Sequence, residues 1–199
     1  MTVRPAIFSL IGAALFSIGS ASAAILQQTS PSSVSYLEDT DFDVMSFSAL
    51  GDVTASVTPV DLSLGFGIST SGCEAADFAG FVAGNIALIR RGTCEFKEKA
   101  ENAAAAGAVG VLIFNTGAPD NFALLLGTLQ PSYAGGIPVL GLTHDLGVEL
   151  AGISGVTVRM QVTQADVNWA TEPGSLLLLG IALGGLGFSR RKRNLKLKR

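Results

Sequence analysis

The stretch that decides the fold is residues 72–115, which reads GCEAADFAGFVAGNIALIRRGTCEFKEKAENAAAAGAVGVLIFN. An apolar run from Asn85 to Ile89 lies between two glycines, a pattern typical of a strand buried on both faces. A second apolar run, Val109–Phe114, predicts the next strand. A helical segment separates the two runs, so they are expected to pair in parallel as a strand–helix–strand unit.

The segment between these strands predicts a helix with one apolar face. Thr93 is expected to cap its N-terminus, and Gly107 suits its C-terminal end. The apolar positions recur at helical spacing: Phe96, Ala100, Ala103 and Ala104. Glu95 and Lys99 are spaced for an i,i+4 ion pair, which stabilises a helix by a few tenths of a kcal/mol.

The rest of the domain carries weaker strand patterns. Residues 24–40 are polar and predict a linker or a loose first segment, followed by a first strand around Phe42, Val44 and Phe47. Alternation over residues 53–58 predicts a half-buried strand that Pro59 confines to a sheet edge or a strand end. Leu62, Leu64 and Phe66 show the same period of two.

Downstream, Ile137–Leu142 predicts a strand, and Thr143 is positioned to cap a short helix. Clean alternation over Gly155–Val162 predicts the strand that closes the domain.

The N-terminal residues 1–23 have the layout of a secretory signal peptide. Arg4 precedes an apolar run from Ala6 to Ile18, and the small residues Ala21, Ser22 and Ala23 follow it. This pattern predicts cleavage before Ala24 and export of the chain.

The C-terminal residues 166–199 contain a short motif, an apolar segment and a basic end. The apolar segment, residues 175–188, would form a helix of about 21 Å, short of the roughly 30 Å hydrocarbon core of a membrane. Arg190, Arg191, Lys192 and Arg193 follow and would stay on the cytoplasmic side.

The basic C-terminal end offsets much of the negative charge that the rest of the chain carries. Residues 24–171 contain five basic and fifteen acidic residues, a net charge of −10, against −3 for the whole chain. A strongly acidic domain argues against nucleic acid as a partner.

The chain has two cysteines, Cys73 and Cys94, and one histidine. Two cysteines in an exported chain most simply form one disulfide. A zinc site would need more ligands than these residues supply. No metal and no cofactor are therefore predicted.

The sequence from Phe42 to Val162 resembles the protease-associated (PA) domain. The matching positions are Gly72-Cys73, Asn85–Ile89, Arg91–Phe96, Lys99, Ala106–Ala108 and Ile137–Val139. The resemblance implies a mixed α/β (α+β) fold, a β-sandwich or open barrel with a few flanking helices, and the same Cys73–Cys94 bridge. It gives a division into signal peptide 1–23, linker 24–41, PA domain 42–165 and tail 166–199.

The tail resembles the PEP-CTERM sorting signal that exosortases read in Gram-negative bacteria. Glu172 and Pro173 match the motif, and Thr171 stands in place of its proline. The resemblance implies transient inner-membrane contact through residues 175–188 and an exosortase as partner. It also implies a final location at the cell surface or outside the cell.

Few of the polar residues form patterns typical of catalysis or metal binding. His144-Asp145 is a possible acid/base pair, but adjacent side chains at a helix start are expected to diverge, which favours an ordinary surface histidine. Asp39, Asp41 and Asp43 alternate as in a calcium loop, but the required glycine and distal glutamate are missing. No nucleophile elbow or phosphate loop is present. No catalytic residue is therefore predicted.

The candidate partner-binding loop comprises Arg90, Arg91, Gly92, Thr93, Glu95 and Phe96. Two arginines at a strand end on an acidic domain fit a docking point for a carboxylate or carbonyl of an unidentified protein or peptide partner. A solvated strand end is the other interpretation. These features predict a non-enzymatic exported protein that mediates protein–protein or protein–polymer interaction. The alternatives are an accessory or regulatory subunit of a separately encoded secreted peptidase, and a weak hydrolase.

Overall fold

The computed structural model describes residues 23–62, 64, 68–117 and 121–167. The predicted signal peptide lies outside these residues, apart from Ala23. The motif, the apolar segment and the basic end of the predicted tail also lie outside them.

The described chain forms a mixed α+β fold built on one eight-stranded sheet that curls into a half-barrel. The strands are β1 (Ile25–Ser30), β2 (Val34–Ser35), β3 (Phe42–Val44), β4 (Gly51–Pro59), β5 (Ile86–Arg90), β6 (Gly110–Phe114), β7 (Val139–Leu142) and β8 (Thr157–Val162). The helices are α1 (Phe96–Ala105), α2 (His144–Gly152) and α3 (Gln164–Val167), with a 3₁₀ turn at Ala75–Phe78. The predicted fold class is confirmed.

The sheet order is β2-β1-β8-β4-β5-β6-β7-β3. The pairs β4–β5, β5–β6 and β6–β7 are parallel, and β3 joins β7 antiparallel. On the other side, β8 pairs antiparallel with β4 and β1. The parallel β5–α1–β6 unit is the one that the apolar runs predict.

The core lies on both faces of the sheet. One cluster includes Ile86, Leu88 and Leu112 with Leu146 and Leu150 of α2. The opposite cluster includes Ala87, Ile89 and Val111 with Ala100 and Ala103 of α1. Because alternate residues of β5 and β6 enter different clusters, every side chain of these strands is buried, which explains their unbroken apolar runs.

The N-terminal segment differs from the predicted linker. Residues 25–30 form β1, which pairs with β8, and Leu26 and Gln28 are buried. The polar composition suggested an exposed segment, but Gln28 is buried with its hydrogen-bonding groups paired. Its side-chain amide nitrogen donates to the carbonyl and the hydroxyl oxygens of Ser32, each at 3.0 Å.

Three further boundaries differ. Phe47 lies beyond β3 with a φ of 67°, and half of its side chain is exposed. Leu62 and Leu64 belong to no strand. The N-cap position of α1 is Glu95, whose side chain makes no capping hydrogen bond, and not the predicted Thr93. The Thr93 amide nitrogen is held outside the helix by the Ser69 carbonyl at 3.1 Å. The predicted cap at Thr143 is confirmed, since its hydroxyl accepts from the Leu146 amide nitrogen at 3.3 Å.

Candidate functional site

The two cysteines form one disulfide at the start of α1. Cys73 and Cys94 have Cα atoms 5.7 Å apart and lie 21 residues apart in sequence. The bridge ties the turn before the 3₁₀ segment to the loop between β5 and α1. It thereby fixes the candidate partner-binding loop at Cys94, between Thr93 and Glu95.

Arg90, the first residue of that loop, is an interior group. It is the last residue of β5 and only 1% exposed. Its Nη2 donates to the Thr116 carbonyl at 2.7 Å, and its amide nitrogen donates to the Ser71 hydroxyl at 3.2 Å. The prediction of a docking role for Arg90 is therefore wrong: β4 and β6 flank β5, and loops cover its end.

Arg91 is half-buried at the surface of the same loop. Its amide nitrogen donates to the Phe114 carbonyl at 2.8 Å, which extends the β5–β6 ladder by one residue. Its Nη1 lies 3.3 Å from Asn115 Oδ1. The guanidinium is thus held by a neutral side chain, and the residue as a whole is partly exposed.

The rest of the loop divides into half-buried and exposed positions. Gly92 packs so closely on Ser69 that any Cβ would overlap the Ser69 carbonyl oxygen. Phe96 packs against the α1-side core cluster. Thr93 and Glu95 are exposed, and Glu95 Oε2 accepts from Gln130 Nε2 at 3.3 Å. The surface that a partner could reach therefore narrows to Arg91, Thr93 and Glu95.

Lys99 is buried, although the sequence predicted a surface ion pair for it. It is 0% exposed, and its ammonium donates to the Ser71 carbonyl and lies 3.5 Å from Cys73 Sγ. The predicted surface pair with Glu95 is wrong. Burial lowers the pKa of Lys99 to about 8, against partial compensation from Asp77 and Glu98. Its spacing from Phe96 and Ala103 places it on the apolar face, which was the available signal.

Asn102 also joins α1 to the turn that contains Gly72 and Cys73. Its Nδ2 donates to the carbonyls of Gly72 and Cys73 at 3.1 and 2.9 Å. Lys99 and Asn102 are three residues apart on one helix face, so both reach the same turn. The loop is thus fixed by a disulfide and by two side chains of α1.

His144 and Asp145 meet rather than diverge, with Nδ1 and Oδ1 3.0 Å apart. The imidazole also packs edge-on against Phe122, with ring centroids 5.0 Å apart. Across the part of the chain that the structure describes, no group of three or more His, Cys, Asp or Glu is placed to hold a metal ion. Asp41 Oδ2 accepts from the Leu37 amide nitrogen at 2.8 Å, so this alternating acidic segment is engaged with its own backbone.

The sorting residues Glu172 and Pro173 lie outside the described residues. Within residues 23–62, 64, 68–117 and 121–167, the helices are too short or too polar to span a bilayer.

Residues 53–150 match the PA domain family, so this chain carries a PA domain over that range. The resemblance to this family is confirmed there. The module consists of the sheet from β4 to β7, the disulfide-tied loop, α1 and most of α2.

The relatives that share this region are aminopeptidases. An aminopeptidase of Pseudomonas aeruginosa (strain UCBPP-PA14) is 59% identical over 125 residues, which are 62% of this chain and 23% of that protein. Leucine aminopeptidase 2 of Trichophyton equinum is 36% identical over 104 residues, 51% of this chain and 20% of that protein. The chain thus spans less than a quarter of the length of these curated relatives.

Solved structures show the same association. An aminopeptidase from Aneurinibacillus sp. strain AM-1 superposes with a TM-score of 0.56 at 29% identity, covering 71% of this chain and 31% of that chain. BSAP, a zinc aminopeptidase from Bacillus subtilis, gives a TM-score of 0.54 at 26% identity, covering 69% and 29%. Within residues 23–62, 64, 68–117 and 121–167 of this chain, no group of three or more His, Cys, Asp or Glu is placed to hold such a zinc ion.

These comparisons contradict the prediction of a non-enzymatic interaction protein. The relatives and the structural neighbours named above are aminopeptidases, not interaction proteins. The prediction was wrong because it rested on the residues of one domain, and the similar region is a minor part of each of these enzymes.

Proposed function

We propose that this chain works in an aminopeptidase, as the PA domain of an enzyme that removes residues from the free N-termini of peptides. The observation that carries the proposal is the 59% identity over 125 residues to the Pseudomonas aeruginosa aminopeptidase. The fold likeness to the Aneurinibacillus aminopeptidase supports it.

In this proposal the bond-breaking groups lie outside the described residues. The described part holds no metal-binding group, and more than three quarters of the Pseudomonas aeruginosa enzyme lies outside the similar region. The described domain supplies a rigid contact surface instead. Arg91, Thr93 and Glu95 form that surface, because the disulfide, Lys99 and Asn102 fix the loop from which they project.

Immunoprecipitation of the native protein tests this function. The chain is captured from its own host without denaturant, and the precipitate is assayed for hydrolysis of leucine p-nitroanilide. We expect activity above that of the same precipitation from cells lacking the chain. A precipitate that contains the intact chain and shows no activity above this control would contradict the proposal.

We also propose that the chain is exported and sorted by an exosortase. The layout of residues 1–23 supports export, and Glu172, Pro173, the apolar segment 175–188 and the basic end support sorting. The intact mass of the native protein, measured without reductant, tests both ideas. We expect a form that begins at Ala24 and ends near residues 171–173. A mass that still includes Arg199 would exclude removal of the tail.

A further inference from the structure

The two sulfurs of the disulfide have different surroundings. Lys99 Nζ lies 3.5 Å from Cys73 Sγ, and the Thr93 hydroxyl oxygen lies 3.8 Å from the same sulfur. Ammonium and hydroxyl groups both donate hydrogen bonds, so each of these side chains can stabilise a negative charge on that atom. No side chain in the described part of the chain makes such a contact with Cys94 Sγ.

The Lys99 ammonium is a buried charge without an anionic partner. The side chain is 0% exposed, and its other acceptor is the neutral Ser71 carbonyl. Burial lowers its pKa to about 8, against the opposing effect of Asp77 on the 3₁₀ turn and Glu98 on α1, so the group is mostly charged at neutral pH. Among the carboxylates that the structure describes, none lies within ion-pair distance of this ammonium. An anion formed beside it would therefore be stabilised.

Opening the disulfide would create that anion in place. When a disulfide exchanges with a thiol, one of its sulfurs leaves as a thiolate, and the cysteine of lower pKa leaves faster. A neighbouring lysine lowers the pKa of a cysteine thiol below its usual value of about 8.5. Cys73 is therefore favoured as the leaving sulfur, and an incoming thiolate is favoured to attack Cys94 Sγ. Both cysteines are half-buried, so a small thiol can reach the bridge.

Cys94 is the competing leaving sulfur. It directly precedes the N-cap residue of α1, where the helix dipole favours an anion. That effect is modest at an exposed helix end, and the carboxylate of the neighbouring Glu95 opposes it. The Lys99 ammonium is fully buried, so water and salt screen its attraction for an anion at Cys73 much less. The balance of charge thus favours the thiolate at Cys73.

We propose that the disulfide is a reversible thiol-exchange site, at which Cys94 takes up a small thiol as a mixed disulfide and Cys73 is released as a thiolate paired with Lys99. The incoming thiolate attacks Cys94 Sγ and forms a new sulfur–sulfur bond. The electron pair of the old bond leaves on Cys73 Sγ, so no separate oxidant or reductant is consumed. Attack by the Cys73 thiolate on the mixed disulfide expels the small thiolate and restores the bridge.

This chemistry is separate from peptide hydrolysis and does not depend on the proposed aminopeptidase function. Its consequence falls on the contact surface formed by Arg91, Thr93 and Glu95. Exchange removes the covalent tie between the loop that presents these residues and the turn that contains Cys73. A small thiol would therefore loosen this surface reversibly.

Reaction of the native, oxidised full chain with glutathione tests the proposal. Samples are quenched with acid, and mass spectrometry locates the glutathione. We expect it on Cys94, and we expect Lys99→Met to slow the opening of the bridge roughly three- to tenfold, because the leaving thiolate loses its adjacent cation. A variant that merely loosened the fold would expose the bridge and speed its opening, so structural damage would give the opposite sign. Lys97→Met, which removes a partly exposed ammonium of the same helix, is the control and should leave the rate unchanged.

Competition between the two thiols gives a second measurement. The full chain is reduced with a phosphine and treated with limiting iodoacetamide over a range of pH values below the ordinary thiol pKa of about 8.5. We expect Cys73 to be alkylated in preference to Cys94, most strongly at the lowest pH, and we expect Lys99→Met to remove this preference.

Four results would overturn the inference. They are a native bridge that does not react with glutathione, glutathione attached to Cys73 instead of Cys94, a bridge in Lys99→Met that opens as fast as in the wild type or faster, and equal alkylation of the two cysteines in the reduced wild-type chain.

Discussion

Lys99 shows how one side chain can connect a helix, a turn and a disulfide. Its ammonium is buried between the Ser71 carbonyl and Cys73 Sγ, and this burial lowers its pKa to about 8. A lysine in the unfolded chain titrates near 10.4. Between these two values the unfolded chain binds more protons than the folded one, so raising the pH in this window stabilises the fold.

We therefore expect the free energy of unfolding to rise by about 1 kcal/mol between pH 7 and pH 9. Lys99→Met should remove this rise, because methionine does not titrate. Lys97→Met is the matched control, since Lys97 is a partly exposed residue of the same helix, and should retain the rise. Urea unfolding at each pH measures the effect. A wild-type stability that stays flat or falls over this range would show that Lys99 is not buried as an ionisable group.

Gly92 gives a second prediction about the stability of the fold. A Cβ at this position would overlap the Ser69 carbonyl oxygen, a backbone atom that the Thr93 amide also holds. We expect Gly92→Ala to lower the free energy of unfolding by about 2 kcal/mol or more. Gly152→Ala at the end of α2, where a Cβ meets nothing within 4 Å, should change it little. Equal stabilities of the two variants in urea would contradict the packing described at Gly92.

At the residue scale, sequence reasoning located the important loop but misassigned its two most buried charges. Arg90 and Lys99 both read as surface groups because lysine and arginine are seldom buried. Lys99 is buried against the turn around residues 69–73, which lies far from it in sequence and supplies the Ser71 carbonyl as acceptor. The Arg90 guanidinium instead donates to the Thr116 carbonyl, beyond the end of β6. Sequence spacing does not show such a partner. Only the position of Lys99 between Phe96 and Ala103 hinted at burial.

At the element scale, the disulfide ties two segments that the sheet alone would leave loosely connected. The cysteines lie 21 residues apart, with β5 between them. Closing a loop of this length stabilises a fold by about 3 kcal/mol in the chain-entropy model. We expect the Cys73→Ser/Cys94→Ser double variant to lose roughly this amount in urea unfolding, and reduced wild-type protein to behave similarly. A loss below about 1 kcal/mol would mean that α1 and the sheet already fix the loop.

Strands β5 and β6 were predictable because their own residues show the strand pattern, without reference to any distant part of the chain. Strands β5 and β6 are buried on both faces, so each reads as an unbroken apolar run. Strand β1 was missed because its burial depends on pairing with β8 and on an internal partner for Gln28. Helix α1 starts later than predicted because tertiary hydrogen bonding holds Thr93 outside it.

At the scale of the whole molecule, the fold was accessible from sequence and the function was not. The PA domain is confirmed over residues 53–150. The predicted non-enzymatic role was contradicted by relatives of which this chain covers 23% or less. The described residues hold no group of three or more His, Cys, Asp or Glu that could bind a metal, so the proposed activity rests on similarity to whole enzymes.

A domain exchange tests the aminopeptidase assignment most directly. The region of the Pseudomonas aeruginosa aminopeptidase that is 59% identical to this chain would be replaced by the matching residues of this chain. If this PA domain serves an aminopeptidase, the chimera should hydrolyse leucine p-nitroanilide with a kcat/KM within about tenfold of the parent enzyme. A chimera that folds with its Cys73–Cys94 disulfide intact but loses more than about a hundredfold in kcat/KM would contradict the assignment.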